Sequence, residues 1–87
     1  LGPNHIYNSY YAKALAELEY KTGNHKRTEF FFKQAEEVLL LNFGHSHPEL
    51  AELYYTMALY NYELENNELA INYLTTAEKA NQFYCSF

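Results

Sequence analysis

Cysteine, proline and glycine are scarce in this 87-residue chain, which has one cysteine, two prolines and three glycines. The single cysteine, Cys85, excludes an internal disulfide and a cysteine-rich zinc module. It fits a reducing compartment, where thiols stay reduced. We therefore predict an intracellular, cytoplasmic protein, with cytoskeletal or ciliary association as an alternative within that class.

Basic residues are also few, since six Lys and Arg stand against eleven acidic residues and give a net charge of −5. The excess lies in the second half: residues 1–42 contain five Lys/Arg and five Glu, whereas residues 43–87 contain Lys79 and six Glu. Nucleic-acid binding depends on clustered Lys and Arg that release counterions from the phosphates. We therefore predict no nucleic-acid partner.

Long apolar runs are missing, because charged residues interrupt each hydrophobic stretch before it could cross a bilayer. The sequence also shows no charged segment followed by an apolar stretch and a small-residue cleavage site. Apolar and aromatic residues nevertheless make up 48% of the chain, including ten tyrosines, which is too hydrophobic for intrinsic disorder. These features predict one small folded domain without a membrane partner.

The chain contains an internal repeat. Its period equals the distance in sequence between His5 and His47. Identical residues recur at that spacing, and residues of similar size and polarity fill the gaps between them. The identical pairs include His5 and His47, Ala16 and Ala58, Tyr20 and Tyr62, Asn24 and Asn66, Ala35 and Ala77, and Glu36 and Glu78. A period of this length indicates a repeat architecture. We assign the first repeat to 1–42, the second to 43–81, and a tail or the start of a further helix to 82–87, and expect a fragment of a longer array.

Each repeat has the apolar periodicity of two amphipathic helices. Apolar residues recur at spacings of three and four, as in Tyr11, Leu15 and Leu18 of the first repeat. The corresponding stripe of the second repeat is Leu50, Leu53, Met57 and then Tyr60 or Leu64. We predict helices over 6–22, 25–41, 48–65 and 68–81, that is, an all-α chain of two antiparallel hairpins.

Short turns separate the two helices of each repeat. Gly23 stands where the first helix must end, and Asn24 is able to cap the next helix. In the second repeat Asn66 and Asn67 supply residues that tolerate the left-handed conformation at the same point. Both connections are therefore predicted to be tight.

The placement of small residues resembles the tetratricopeptide repeat (TPR), in its longer kinesin-light-chain variety. Ala16 and Ala58 anchor the match, with small residues at Ser9 and Ala51, Thr28 and Ala70, and Ala35 and Ala77. The resemblance covers nearly the whole chain and implies two hairpins stacked as an α-solenoid, with a small residue where the helices of a hairpin cross. Thr28 replaces an expected alanine, Ala12 an expected bulky residue and Glu65 an expected turn glycine.

The resemblance also implies a protein-binding groove lined by the first helix of each hairpin. The family's groove positions fall here on Tyr10, Lys13, Ala14, Glu17 and Lys21, and on Glu52, Tyr55, Thr56, Leu59 and Glu63. Family members that clamp a C-terminal carboxylate pair a lysine, matched by Lys13, with an asparagine four residues later. Glu17 stands at that place and would repel such a ligand, whereas Glu52 and Glu63 would attract a peptide bearing Lys or Arg.

Two histidines in FGHSHPEL raise the question of a metal site. A structural zinc ion wants four ligands and a catalytic one three, and no cysteine or carboxylate cluster adjoins His45 and His47. Only His47 has a repeat counterpart, His5, so we predict a structural corner with Ser46 or His47 near the helix cap. Pro48 then falls in the first helical turn.

The sequence offers no catalytic constellation. No glycine-rich or strained turn presents a nucleophile beside a base, and Glu36 and Glu37 have the pattern of a solvated helix face. We therefore predict no enzyme activity, no cofactor and no metal. The predicted function is a protein-interaction module, and the main alternative is an architectural segment of a larger assembly. A regulatory arm of an enzyme domain outside these residues, and zinc binding, stay open as further alternatives.

Partners are expected in two places, the groove and the end faces of the repeat pair. A repeat of this kind buries each face against its neighbour, so the outer faces are expected to contact neighbouring repeats or subunits. Phe83, Tyr84 and Phe87 in the tail favour that expectation. Among the tyrosines of the first helices, Tyr11, Tyr20, Tyr54 and Tyr62 are predicted to pack between hairpins.

Overall fold

Four helices account for nearly all of the chain in the computed structural model, which describes residues 5–45 and 47–85, the last four by their backbone alone. The helices are α1 (Ile6–Lys21), α2 (His25–Phe43), α3 (Pro48–Glu63) and α4 (Asn67–Cys85). The described ranges contain no strand. The all-α prediction is confirmed, and the helix bounds lie within two residues of expectation except at the end of α4, which continues through Cys85. The described residues do not include 1–4, 46, 86 and 87. The predicted roles of Ser46 at the corner and of Phe87 in the tail therefore lie outside the described residues.

The first helix of each hairpin begins at a histidine. His5 and His47 both have extended backbones, and their side chains accept a hydrogen bond from the backbone N–H two residues later. The Nδ1 atom of His47 lies 3.1 Å from the Glu49 nitrogen, and that of His5 lies 3.2 Å from the Tyr7 nitrogen. Such a side-chain acceptor satisfies one of the unpaired N–H groups at a helix start. The corner histidines are therefore helix caps.

Both hairpin turns have the same backbone hydrogen bonds. In each turn three N–H groups donate to carbonyl oxygens in the last turn of the preceding helix, at 2.8 to 3.2 Å. The pairs are Thr22 to Leu18, Gly23 to Tyr20 and Asn24 to Glu19, then Leu64 to Tyr60, Glu65 to Tyr62 and Asn66 to Asn61. The second set is the first one shifted by the repeat spacing, so the sequence repeat extends to the backbone geometry.

The left-handed residue of each turn occupies equivalent positions, Gly23 with φ of 84° and Glu65 with φ of 65°. The sequence had pointed to Asn66 and Asn67 for the second turn, and that prediction is wrong. The turn hydrogen bonds fix the position of the left-handed residue, and the repeat register puts Glu65 there. The cap predicted at Asn24 is confirmed, since its Oδ1 atom accepts a hydrogen bond from the Arg27 N–H at 3.3 Å.

The chain divides into two compact units, unit 1 (residues 1–42) and unit 2 (residues 43–87). Each contains one helical hairpin, and small residues lie buried on both helices. Ala16 and Ala58 are fully buried, as expected for residues at a helix crossing. Thr28 is buried as well, and its hydroxyl donates to the Asn24 carbonyl at 2.9 Å, which satisfies the polar group.

The predicted apolar stripe is buried in α3 but partly exposed in α1. In α3 the predicted stripe of Leu50, Leu53, Met57 and Tyr60 is buried. In α1 the buried residues are instead Ser9, Ala12 and Ala16, and the larger residues of the predicted stripe include exposed Tyr11 and Leu18. Periodicity identifies residues that share a helix face, but small residues share a different face of α1 and allow closer packing there.

Candidate functional site

The predicted groove residues of unit 2 form one row along α3. Glu52, Tyr55, Leu59 and Glu63 are exposed at spacings of three and four residues, which places them on one helix face. Thr56 lies beside this row, half-buried, and its hydroxyl donates to the Glu52 carbonyl at 3.0 Å. The row thus presents an apolar middle, Tyr55 and Leu59, between two carboxylates.

A cleft of about 410 Å³ opens beside the start of this row, between α3 and α4. We call it the unit 2 cleft. Its lining residues are Pro48, Ala51, Glu52, Tyr55, Leu74, Ala77, Glu78 and Asn81. Two alanines form its closed part, whereas Leu74 and Tyr55 are exposed and two glutamates are able to contact a cation. Glu52 and Tyr55 therefore join the groove row to a cleft that the groove prediction did not include.

The predicted groove residues of unit 1 also share one face of their helix. Tyr10, Glu17 and Lys21 are exposed and Lys13 is half-buried, at the spacings of a single α1 face. The ring of Tyr10 lies 6.3 Å from that of Tyr7, between ring centroids. This face carries both signs of charge, which distinguishes it from the acidic row on α3.

A second cleft, which we call the unit 1 cleft, lies between α1 and α2 and also has a volume of about 410 Å³. Its lining residues are Asn8, Tyr11, Ala12, Leu15, Phe31, Gln34, Glu37 and Val38. None of them belongs to the predicted groove. The Phe31 ring lies edge-on to Phe30 at 5.2 Å and under the Arg27 guanidinium at 5.5 Å, which holds this ring in place.

Ala12 explains why unit 1 is open at this place. The equivalent residue of unit 2 is Tyr54, which is buried and stacked on Tyr73 with ring centroids 6.1 Å apart. Tyr73 is the repeat counterpart of Phe31. Because Ala12 stands where unit 2 has Tyr54, no ring at that position covers Phe31. The departure of Ala12 from the family pattern was the available signal, although its consequence required the structure.

The four tyrosines predicted to pack between hairpins differ in their exposure. Tyr54 is buried, and Tyr20 is half-buried with its ring 6.3 Å from that of His25. Tyr11 and Tyr62 are largely exposed, so the prediction of burial is wrong for them in this chain. Tyr10 in α1 and Tyr55 in α3 are also exposed and extend the aromatic surface of their helices.

His47 of FGHSHPEL stabilises the backbone at the start of α3. The His47 ring stacks on Phe43 with centroids 3.7 Å apart, while its Nδ1 atom caps α3. Within the described part of the chain, no group of three or more His, Cys, Asp or Glu side chains is placed to hold a metal ion. The same residues also include no helix with the length and apolar character needed to cross a membrane.

Comparison with models of protein families, with curated proteins and with solved structures finds no match to this chain. The fold therefore defines a class, an all-α chain of two repeated helical hairpins, and the functional argument depends on the surfaces described above.

Proposed function

We propose that this chain is a non-catalytic protein-interaction module, a TPR-type α-solenoid segment that binds a peptide or partner helix along the first helix of each hairpin. The observation that carries the proposal is the row on α3, where exposed Tyr55 and Leu59 lie between the carboxylates of Glu52 and Glu63. Tyrosine gives broad contact area and a hydroxyl at low entropic cost, and is enriched at interfaces.

The geometry of the row favours a particular kind of peptide. Glu52 and Glu63 are eleven residues apart on α3, which corresponds to about 16 Å along the helix axis. An extended peptide covers that distance in about five residues. The preferred ligand would therefore carry two Lys or Arg about five residues apart, with an apolar side chain between them for Tyr55 and Leu59.

The test is selection from a random peptide library, followed by affinity measurement of a selected peptide by fluorescence polarisation at low salt. Selected sequences should contain basic residues flanking an aromatic or aliphatic residue. Replacing Glu52→Lys together with Glu63→Lys changes two attractions into repulsions, each worth up to about 1 kcal/mol at an exposed site. Affinity should then fall by about 10-fold or more.

A matched control separates this local effect from net charge. Glu65→Lys with Glu68→Lys changes the charge of unit 2 by the same amount, but these exposed residues lie at the turn and at the start of α4. The control should bind nearly as well as the unchanged chain. An unchanged affinity in the Glu52/Glu63 variant would refute peptide capture by this row.

A second candidate function, an architectural segment in a larger assembly, is favoured by a different observation. Large apolar side chains are exposed outside the groove row, among them Tyr11, Leu18 and Leu74. Tyr11 and Leu18 share one face of α1, and contiguous exposed apolar surface marks interaction sites in many proteins. Neighbouring repeats or subunits on these faces would give the surface a partner.

A further inference from the structure

The unit 2 cleft combines negative charge with apolar walls. Glu52 on α3 and Glu78 on α4 both line it, and none of the lining residues that the structure describes is basic. A cleft lined by charge of one sign concentrates the electric field and attracts the opposite charge. Its volume of about 410 Å³ lies within the range of about 300–1,000 Å³ that is usual for ligand pockets. The cleft therefore has the charge and the space for a cationic side chain.

The equivalent positions of unit 1 do not have this character. Half-buried Lys13 stands in the first repeat where the second has Tyr55. Glu36 is the counterpart of Glu78, and its carboxylate already forms an ion pair with the Lys33 ammonium at 3.7 Å. A cation is thus attracted to the unit 2 cleft but meets positive charge at the corresponding residues of unit 1.

Two exposed apolar groups at the unit 2 cleft suit a cation that is carried on an aliphatic stem. The ring of Tyr55 is 53% exposed, and a cation over a tyrosine ring is attracted by the negative charge of the ring face. Leu74 is exposed on α4 and offers its side chain to methylene groups. Lysine and arginine both have such a stem, so the charged head group decides between them.

The chemistry of the lining favours arginine over lysine. A guanidinium has five N–H donors in a planar fork that matches a carboxylate in a bidentate contact, whereas an ammonium has three donors on one atom. Glu52, Glu78 and the side-chain amide of Asn81 supply several acceptors for such a fork. A guanidinium is also less strongly hydrated, so it enters a cleft walled by alanines at a lower desolvation cost.

We propose that the unit 2 cleft is the pocket for one of the two basic side chains of the peptide bound along the α3 row, and that this side chain is arginine. The inference rests on the proposed function, since Glu52 and Tyr55 belong to both the row and the cleft. Glu63 does not line the cleft, and its carboxylate attracts the other basic residue at an open surface. One basic position of the peptide is therefore specific for arginine, and the other accepts lysine or arginine.

The test repeats the selection from a random peptide library with two proteins, the unchanged chain and Glu78→Gln. Glu78 is exposed on α4 and is not part of the α3 row, so this substitution changes the cleft alone. Peptides selected by the unchanged chain should have arginine at one basic position and either lysine or arginine at the other. Peptides selected by Glu78→Gln should lose the preference for arginine and keep the other basic residue.

Fluorescence polarisation at low salt then measures one selected peptide and two derivatives, in which either basic residue is replaced by glutamine. Glu78→Gln should lower the affinity for the selected peptide about fivefold. The derivative without the arginine should bind both proteins equally, because its contact with the cleft is already lost. The derivative without the other basic residue should still lose about fivefold on Glu78→Gln.

Glu68→Gln is the matched control. It removes the same charge from an exposed glutamate of α4, but Glu68 lies in the first turn of that helix and does not line the cleft. This variant should bind the selected peptide as the unchanged chain does. Circular dichroism checks that both variants keep their helices.

Different results would overturn the cleft and the proposed function. Binding that falls in the Glu52/Glu63 double variant but is unchanged in Glu78→Gln would overturn the cleft as an arginine pocket and leave the row as the binding site. Equal selection of lysine and arginine at both positions would also overturn it. Self-association of the peptide-free chain that Glu78→Gln abolishes would identify a second copy as the occupant. A library that yields no binding peptide would overturn the proposed function and the pocket together.

Discussion

Glu65 holds a backbone conformation that is unfavourable for a residue with a side chain. Its φ of 65° is left-handed, and its counterpart Gly23 has the same conformation without a β-carbon. A left-handed residue other than glycine costs about 1–2 kcal/mol. The hydrogen bonds of the turn maintain this conformation, so the strain is the local cost of closing the second hairpin with glutamate.

The substitution Glu65→Gly should therefore stabilise the chain. Removing the left-handed strain outweighs the added freedom of glycine in the unfolded state, and we expect the free energy of unfolding to rise by roughly 0.5–1 kcal/mol. Urea denaturation followed by circular dichroism measures it.

Gly23→Ala is the converse substitution and should lower the free energy of unfolding by about 1 kcal/mol. Apart from residue 23 and its two chain neighbours, no atom of the described residues lies within 4 Å of the added carbon, so the backbone conformation alone accounts for the loss. Equal stability of Glu65→Gly and the unchanged chain would mean that the turn does not store this strain.

Sequence reasoning anticipated the glycine but not the glutamate. A glycine between two helices marks a left-handed residue directly, because it adopts that conformation without cost. A glutamate carries no such signal, and the neighbouring asparagines Asn66 and Asn67 drew the prediction to themselves. The family resemblance places Glu65 at the position of the turn glycine, but the left-handed conformation of that position was assigned to the asparagines.

At the scale of the element, α1 and α3 show how far helical periodicity reaches. For α3 the apolar stripe and the buried face coincide, because Leu50, Leu53 and Met57 are both large and buried. For α1 the stripe contains exposed Tyr11, since the buried face is made of small residues. The spacing of hydrophobic residues alone does not show which face of a helix packs closely against the other helix of its hairpin and which face stays exposed.

Ala58→Leu should destabilise the hairpin of α3 and α4. Ala58 is fully buried, and added methylene groups in a packed site cost about 1–3 kcal/mol through displaced side chains and backbone. The control is Leu59→Met at the exposed neighbouring residue, which should change the free energy of unfolding by no more than about 0.5 kcal/mol. Thermal unfolding should show a lower midpoint for Ala58→Leu than for this control. A tolerated leucine at position 58 would contradict the close helix crossing.

At the scale of the whole molecule, the charge is distributed unevenly along the chain. The net charge of −5 lies entirely in the second half of the sequence, where six Glu stand against Lys79. A basic peptide is attracted by this charge. The salt dependence of its affinity therefore reports this attraction.

Raising the ionic strength should weaken the binding of a basic peptide. Between about 0.01 M and 0.15 M salt the screening length falls from about 30 Å to about 8 Å. Affinity for a basic peptide measured by fluorescence polarisation should weaken. An affinity that rises with salt would contradict attraction of the peptide by Glu52 and Glu63.

The helix caps and turns have a bearing on how such a sequence could lengthen during evolution. Each hairpin contains its own capping histidine, its own turn bonds and its own left-handed residue, all within a single repeat. A duplication that inserted another such segment after Asn42 would supply every hydrogen bond that starts the segment's first helix and closes its turn. Recombination could therefore add whole hairpins to the gene without disturbing the helix caps and turns of the hairpins already there.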